Sequence, residues 1–245
     1  MVEFNLKRSM KKVIDQLSVF FPSYNEEANI EKTLMMAREV LLDTASEWEI
    51  IVVNDGSRDR TGEIAERLSK SDKRIRVVTH SPNRGYGAAF KSGFYSARFP
   101  WIAFTDADGQ FDFSEITKLI AKQKETKADL VIGYYLKRQV SLLRKLNSFL
   151  WQLVVFLLFG LKVKDIDCGF KLVSKKVIDK IPKLESERGP FISSEFLIKA
   201  KKSGFKIVEV GVHHYPRKAG TATGAQLRVI IHGFIDLFRL WKKLR

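Results

Sequence analysis

Residues 49–69, EIIVVNDGSRDRTGEIAERLS, place a strand pattern directly before a helix pattern. The apolar run Glu49–Val53 is short and ends at NDGS, whose glycine and polar residues are typical of a turn. Asp59–Ser69 then predicts a helix, with Thr61 as its N-cap. A strand that leads through a turn into a helix is the repeating unit of folds with a parallel sheet. This segment therefore predicts an α/β fold.

The same alternation continues through the first half of the chain. Further strands are predicted at Val19–Phe21, closed by Pro22, and at Ile75–Thr79, Trp101–Thr105 and Asp129–Gly133. Helices are predicted over Glu26–Leu42, over Tyr86–Ala97 and from Ser114, which is taken as an N-cap. Strands that alternate with helices in this way indicate a mostly parallel central sheet with helices on both faces.

The second half of the chain has a different sequence pattern. A base-rich segment, Lys137–Lys145, runs into an apolar stretch that ends at Phe159. A helix is predicted around Ser194–Lys202 and a strand around Ile207–Val210.

The C-terminal residues predict an amphipathic helix with a basic polar face. Its apolar face on a helical wheel consists of Leu227, Ile230, Ile231, Phe234, Leu237, Phe238 and Trp241. Interfacial helices combine such a face with basic residues and aromatic side chains, and Trp151 and Trp241 lie in the two apolar segments. We predict one catalytic domain over residues 1–225, with an interfacial segment at 137–161, and a membrane-surface helix at 226–245.

The composition is that of a folded domain with an anionic partner. Of its 245 residues, 45% are hydrophobic and 29% are charged, which excludes a disordered chain. The formal net charge of +15 favours nucleic acid, an anionic membrane surface or a phosphorylated substrate as partner. Cys168 is the single cysteine, so an intramolecular disulfide and a thiolate metal cluster are excluded. The N-terminal residues lack the apolar core of a secretory signal, and Phe149–Phe159 is too short to span a bilayer.

Polar clusters follow four of the predicted strands. They are PSYNEE (22–27), NDGS (54–57), HSPNRGYG (80–87) and DADGQ (106–110). Open α/β sheets bind their ligands beyond the carboxyl ends of the strands. Since parallel strands end at one edge, the four clusters together predict a binding site there.

The DADGQ cluster suggests a divalent cation. Asp106 and Asp108 share one face if the chain is extended, and Mg²⁺ and Mn²⁺ bind carboxylates together with substrate phosphates. Such an ion would remove the repulsion between the two carboxylates and would bind a diphosphate. The alternative is a solvated turn in which Asp106 or Asp108 caps backbone amides.

As a set, these clusters resemble the family 2 glycosyltransferases of GT-A fold. The matching segments are VFFPSYNEEANIEKTL (19–34), IIVVNDGSRDRTGEIA (50–65), NRGYGAAFKSGFYSA (83–97) and DADGQ. More loosely, DIDCGFKLVSKK (165–176) and HYPRKAGTATG (214–224) are similar to the subgroup that transfers sugar to polyprenyl phosphates, dolichyl or undecaprenyl.

The resemblance implies roles for particular residues. The donor nucleotide sugar would contact Pro22, Tyr24, Glu26, Asp55, Arg84, Lys91 and Gln110. Asp106 and Asp108 would be catalytic and would hold the metal and the donor diphosphate. The acceptor phosphate or the leaving diphosphate would contact Arg138, Arg144 and Arg217, with Arg217 also catalytic. Asp167 matches a position discussed as an acid/base or acceptor-orienting group. A phosphate monoester is already largely dianionic at neutral pH, so Asp167 either acts as a base or orients a basic side chain.

These implications predict a metal-dependent inverting glycosyltransferase. Its cofactor would be Mg²⁺ or Mn²⁺, its donor a UDP- or GDP-linked sugar and its acceptor a polyprenyl phosphate. It would associate peripherally with the cytoplasmic face of a membrane and bind no nucleic acid beyond the donor nucleotide. A polysaccharide or glycan acceptor is the first alternative. A nucleotidyltransferase is disfavoured because PSYNEE replaces its Gly-rich opening, and a basic membrane- or nucleic-acid-binding module would leave the four clusters unexplained.

Overall fold

The computed structural model describes residues 12–137, 142–187, 189, 191–216 and 227–245, without the side chains of 142–145 and 227–231. Seven strands form one sheet: β1 (Ile14–Ser23), β2 (Ala45–Asn54), β3 (Ile75–Thr79), β4 (Trp101–Phe104), β5 (Leu130–Tyr135), β6 (Lys171–Ser174) and β7 (Ile207–Val212). The helices are α1 (Ile30–Thr44), α2 (Thr61–Ser71), α3 (Tyr86–Ser96), α4 (Ile116–Thr126), α5 (Leu142–Phe159), α6 (Lys175–Lys180), α7 (Phe191–Lys202) and α8 (Leu227–Leu244). A 3₁₀ turn, Phe113–Glu115, precedes α4.

The strand order is β3-β2-β1-β4-β6-β5-β7, and β6 alone among these strands runs antiparallel to its neighbours. The predicted α/β fold with a mostly parallel sheet is therefore confirmed. Because Phe104 at the end of β4 pairs with Lys171 at the start of β6, the loop that precedes β6 lies at the carboxyl edge of the parallel strands. This antiparallel strand brings residues 165–170 beside the DADGQ loop.

The sheet separates two apolar cores. One core packs α3, α5, α6, α7 and α8 against one face, and the other packs α1, α2 and α4 against the opposite face. The centre of the first core is Phe20, whose ring stacks on Phe104 at 5.3 Å between centroids and meets Phe94 edge-on at 4.8 Å. Gly93 makes this packing possible, since a Cβ there would lie 2.1 Å from the Phe20 ring.

The predicted end of β1 at Pro22 is wrong, because the strand continues to Ser23. In a parallel strand, successive residues direct their backbone groups to alternate neighbours. Ser23 accepts from Asp55 of the β2 side, and Phe20 accepts from Thr105 of the β4 side. The missing N–H of Pro22 therefore faces the β4 side, where that strand has already ended, so the ladder with β2 loses no bond.

Two predicted helix caps are also wrong. Ser114 lies inside the 3₁₀ turn, and the carboxylate of Asp112 caps the turn by accepting from the Ser114 N–H at 2.9 Å. At α2, Thr61 is the first helical residue and donates its own N–H to Asp59 at 3.0 Å. In both cases a nearby aspartate replaces the hydroxyl, since a carboxylate accepts amide hydrogen bonds more strongly.

The C-terminal helix α8 packs on the domain through a face that only partly matches the predicted apolar face, since Leu240 is buried and Phe238 is exposed. Leu237 and Leu240 are buried against α7 and α5, and the Phe234 ring lies 5.1 Å from that of Trp151. Phe238 and Ile235 are exposed. Within the described residues, no helix combines the length and the apolarity needed to cross a bilayer.

Candidate active site

The DADGQ loop follows β4 and holds two different carboxylates. Asp106 accepts a hydrogen bond from the hydroxyl of Tyr86 at 3.2 Å. Asp108 is buried, and its Oδ1 accepts from the backbone N–H of Gln110 at 3.0 Å. Gly109 has φ +71°, a conformation that glycine adopts at no steric cost. Asp108 thus makes the amide-capping contact of a turn with one oxygen, as the alternative interpretation expects.

The loop before β6 packs directly on Asp106. A Cβ at Gly169 would lie 2.3 Å from Oδ2 of Asp106, so glycine is needed for this approach. Asp165 is buried and accepts from the Asp167 N–H at 3.0 Å, whereas the Asp167 side chain is exposed. The segment that resembles the polyprenyl-phosphate subgroup therefore lies beside the predicted metal carboxylates.

Two partly buried tyrosines, Tyr86 and Tyr135, line this cluster, and the sequence motifs did not identify them as site residues. Burial raises the pKa of Tyr86 well above its ordinary value, and the neighbouring Asp106 raises it further. Burial likewise raises the pKa of Tyr135, with contributions from Cys168 and Asp165. Both hydroxyls consequently stay protonated at neutral pH, so that of Tyr86 remains a hydrogen-bond donor to Asp106.

Lys171, also missed by the sequence search, is fully buried beneath this loop. Its ammonium donates to the carbonyl oxygen of Cys168 and lies 5.2 Å from the centroid of the Phe104 ring. Burial lowers the pKa of Lys171, and the negative charges of nearby aspartates oppose that shift. A lysine within the apolar run FKLV is the sequence signal that could have identified it, because lysines are rarely buried without a partner.

Asp55 organises the HSPNRGYG loop. Its carboxylate accepts from Nδ1 of His80 at 2.6 Å and from Asn83 at 2.8 Å. It also accepts from the backbone N–H groups of Arg84 at 2.9 Å and Gly85 at 2.8 Å. The structure thus gives this buried side chain four donors within the protein, and its predicted contact with the donor's base or ribose stays a prediction.

The PSYNEE loop is fastened to the turn that precedes α2. Pro22 is buried in β1, and Tyr24 is 42% exposed. The Glu26 N–H donates to Thr61 at 2.7 Å, and the Glu26 carboxylate accepts from Asn29 at 2.9 Å. These contacts hold the loop next to the end of β2, where the nucleoside pocket is predicted.

Arg84 and Lys91 converge on one acidic residue. Oε1 of Glu187 accepts from Arg84 at 3.1 Å and from Lys91 at 3.1 Å. The loop that carries Glu187 is itself held by the buried carboxylate of Glu195, which accepts from the N–H groups of Glu185 and Ser186. The two predicted donor-binding bases are therefore brought together, with an acidic side chain between them.

Gln110 binds the segment that follows β7 through two hydrogen bonds to Tyr215. Its amide donates to the Tyr215 carbonyl at 2.9 Å, and the Tyr215 N–H donates back to the Gln110 carbonyl at 2.8 Å. His213 pairs with the buried Glu115 at 2.7 Å, while the His214 ring packs 4.6 Å from that of Tyr135. The two histidines therefore contact different groups.

The structure does not describe the side chains of the three arginines predicted to contact the acceptor phosphate. Arg138 and Arg217 are not among the described residues, and neither is the side chain of Arg144. The start of the 214–224 motif is nevertheless fixed at the DADGQ loop by the clamp of Gln110 on Tyr215. Their roles at the acceptor phosphate stay predictions.

The aspartate pair offers oxygen donors of the type that Mg²⁺ and Mn²⁺ prefer. The described part of the chain contains no group of three His, Cys, Asp or Glu side chains arranged to hold a metal ion. Mg²⁺ often uses one or two carboxylates and takes its other ligands from water and substrate phosphates. The donor set therefore fits a cation that binds together with a diphosphate.

Comparison with known proteins agrees with this geometry. The model of the family described as Glycosyl transferase family 2 matches residues 18–182. Dolichyl-phosphate beta-glucosyltransferase of Saccharomyces cerevisiae is 34% identical over 223 residues, covering 80% of this chain and 66% of the yeast protein. Dodecaprenyl-phosphate galacturonate synthase of Rhizobium johnstonii is 28% identical over 209 residues, covering 84% of this chain and 61% of that protein. This chain thus spans less than two thirds of each of these relatives.

A solved structure shows the same fold at low sequence identity. Glucosyl-3-phosphoglycerate synthase of Mycobacterium tuberculosis, in complex with Mn²⁺, uridine diphosphate and phosphoglyceric acid, superposes with a TM-score of 0.69 at 19% identity. The match covers 93% of this chain and 78% of that protein, so the fold is GT-A. Because the family model matches residues 18–182, which are most of this chain, the chain belongs to glycosyl transferase family 2.

Proposed function

We propose that this protein transfers a sugar from a nucleoside diphosphate sugar to a polyprenyl phosphate, with inversion and with a divalent metal ion. The observation that carries the proposal is the packing of loop 165–170 on Asp106. It brings the segment similar to the polyprenyl-phosphate subgroup next to the aspartates suited to a donor diphosphate. The names of the yeast and rhizobial relatives support a polyprenyl phosphate acceptor.

In this proposal, Asp106 and Asp108 would hold Mg²⁺ or Mn²⁺. The ion would stabilise the negative charge that develops on the leaving nucleoside diphosphate. Tyr86 keeps Asp106 oriented through its hydrogen bond, and Gly169 lets loop 165–170, the acceptor-side loop of this proposal, approach Asp106. The acceptor phosphate, as a dianion, attacks the anomeric carbon without losing a proton. Asp167, which is exposed at the loop, would therefore orient a basic side chain toward the acceptor rather than act as a base.

A transfer assay tests the proposal. The protein is incubated with radiolabelled UDP-glucose or GDP-mannose, Mn²⁺ and undecaprenyl or dolichyl phosphate, and the mixture is extracted with organic solvent. We expect label in the organic phase, its loss with EDTA, and its recovery when Mn²⁺ is restored. Asp108→Asn should abolish transfer, whereas Asp179→Asn, on an exposed side chain of α6, should not. Label that stays entirely in the aqueous phase would contradict the polyprenyl phosphate acceptor.

We further propose that the protein binds a membrane surface through α5 and α8. One stripe of α5 is apolar and exposed, with spacings of three and four residues: Leu146, Phe149, Leu150, Leu153, Phe156 and Leu157. Ile235 and Phe238 of α8 are also exposed, and α5 packs against α8. Exposed apolar side chains on both helices, with the exposed Arg239 on α8, suit an anionic bilayer, where a lipid-linked acceptor would be found.

Flotation with vesicles of phosphatidylglycerol and phosphatidylcholine tests this surface. We expect the wild-type protein to float and the double variant Phe149→Glu/Leu157→Glu to remain in solution. Met36→Glu, on an exposed side chain of α1, is the matched control and should float. Equal flotation of the wild type and the double variant would exclude this surface.

A further inference from the structure

Lys171 occupies an unusual place for a lysine. It is the first residue of β6 and pairs with Phe104 of β4 on one side and Ile132 of β5 on the other, so it lies inside the sheet. Its side chain has no exposed surface. An ammonium in such a position is costly unless negative charge lies nearby. The sheet therefore holds a cation that the proposed reaction has not used.

The negative charge near Lys171 comes from the candidate active site. The charges of Asp165, Asp167 and Asp106 favour the protonated form of Lys171, against the lowering of its pKa by burial. Asp165 is buried at 4% exposure, so water screens its charge little. The carboxylate cluster thus has a compensating charge built into the protein.

The same ammonium holds the acceptor-side loop in place. It donates to the carbonyl oxygen of Cys168, in the middle of loop 165–170. The loop is also bound to β5, because the Gly133 N–H donates to the Phe170 carbonyl at 2.8 Å. On its other side, Gly169 lies against Asp106. Lys171 therefore fixes both the position of the loop and the charge around Asp106.

We propose that Lys171 is a positioning residue of this site, whose buried ammonium holds loop 165–170 against Asp106 and weakens the binding of a divalent cation in the absence of the donor. The inference rests on the proposed metal site at Asp106 and Asp108. A cluster of carboxylates without an internal cation would attract the metal ion more strongly. With Lys171 present, tight binding requires the additional negative charge of the donor diphosphate.

Titration of the donor-free protein with Mn²⁺ tests the inference, with the free ion measured by its electron paramagnetic resonance signal. Lys171→Met keeps an unbranched side chain of similar length and removes the charge. We expect the Mn²⁺ dissociation constant of this variant to fall about tenfold, because the substitution removes a positive charge that repels the metal ion where water screens charges little. Lys175→Met makes the same change just beyond the other end of β6, on a side chain paired with Asp179, and should leave the constant within about twofold. A residue that merely stabilised the fold would weaken Mn²⁺ binding when replaced.

Asp165→Asn gives an independent arm that does not require Lys171→Met to fold. It leaves the ammonium in excess, so the dissociation constant should rise about tenfold. The double variant Lys171→Met/Asp165→Asn should return close to the wild-type value. Lys171→Met or Asp165→Asn with wild-type Mn²⁺ affinity would overturn the inference. A wild-type protein that binds no Mn²⁺, with or without donor, would instead refute the proposed metal site.

Discussion

Replacing Asp55 with alanine should destabilise the fold far more than a role in nucleotide recognition would require. The buried carboxylate accepts four hydrogen bonds, from His80, Asn83 and the N–H groups of Arg84 and Gly85. The two side-chain donors can rotate toward other partners, but the two backbone N–H groups cannot. Each buried donor left without an acceptor costs about 1–3 kcal/mol, so we expect a loss of about 3 kcal/mol for the partly buried pair.

Urea denaturation followed by circular dichroism measures this loss. The control is Asp179→Ala, which removes an exposed carboxylate paired with Lys175 and should cost about 0.5 kcal/mol or less. If Asp55 served only to contact the donor's base, Asp55→Ala would raise the donor KM and leave the free energy of unfolding unchanged. A measured loss below about 1 kcal/mol would therefore refute the reasoning.

Three other variants or treatments separate the parts of the site. Glu187→Gln removes the charge that pairs with Arg84 and Lys91, so donor KM should fall severalfold at constant kcat; an unchanged KM would show that the two bases do not meet the donor. Gly169→Ala should lower kcat/KM about 100-fold, because its Cβ would displace Asp106. Gly233→Ala is the control and should keep its activity, because its Cβ would lie at an ordinary contact distance of 3.5 Å from Trp151. Wild-type activity of Gly169→Ala would contradict the close approach of Gly169 to Asp106. Burial raises the pKa of the Cys168 thiol to about 12, so iodoacetamide at pH 8 should label it only after unfolding, as mass spectrometry can measure; rapid labelling of the folded protein would disprove that burial.

The strand–helix alternation of the sequence is sufficient to predict the sheet and its binding edge. The strand at Ile75–Thr79 was predicted with its observed bounds, because a short apolar run between turn residues leaves little choice. The sequence predicts that the first strand ends before Pro22, because proline usually terminates a strand, whereas β1 continues to Ser23. Which neighbour the missing N–H faces depends on where β4 ends, and that is a property of the assembled sheet.

The residues of the candidate site also differ in whether the sequence predicts them. Asp106, Asp108 and Gln110 could be predicted, since they follow one strand in sequence and their chemistry is local. Tyr135 could not, because it joins the site through the antiparallel insertion of β6 beside β5. The apolar run FKLV indicates that Lys171 is buried, but its place beside the aspartates depends on the same insertion. That pairing connects segments distant in sequence, and periodicity within one segment carries no information about it.

The insertion of β6 also makes the chain modular. β5 and β6 are neighbouring antiparallel strands, yet residues 136–170 connect them in place of a tight turn. Both ends of this excursion leave the sheet at nearly one point, and α5 together with the acceptor-side loop falls within it. Exchanging such a segment for one of different length changes the closure entropy only slowly. Under the proposed function, the β1 to β4 half would keep the donor site while the exchanged segment would carry a different acceptor preference.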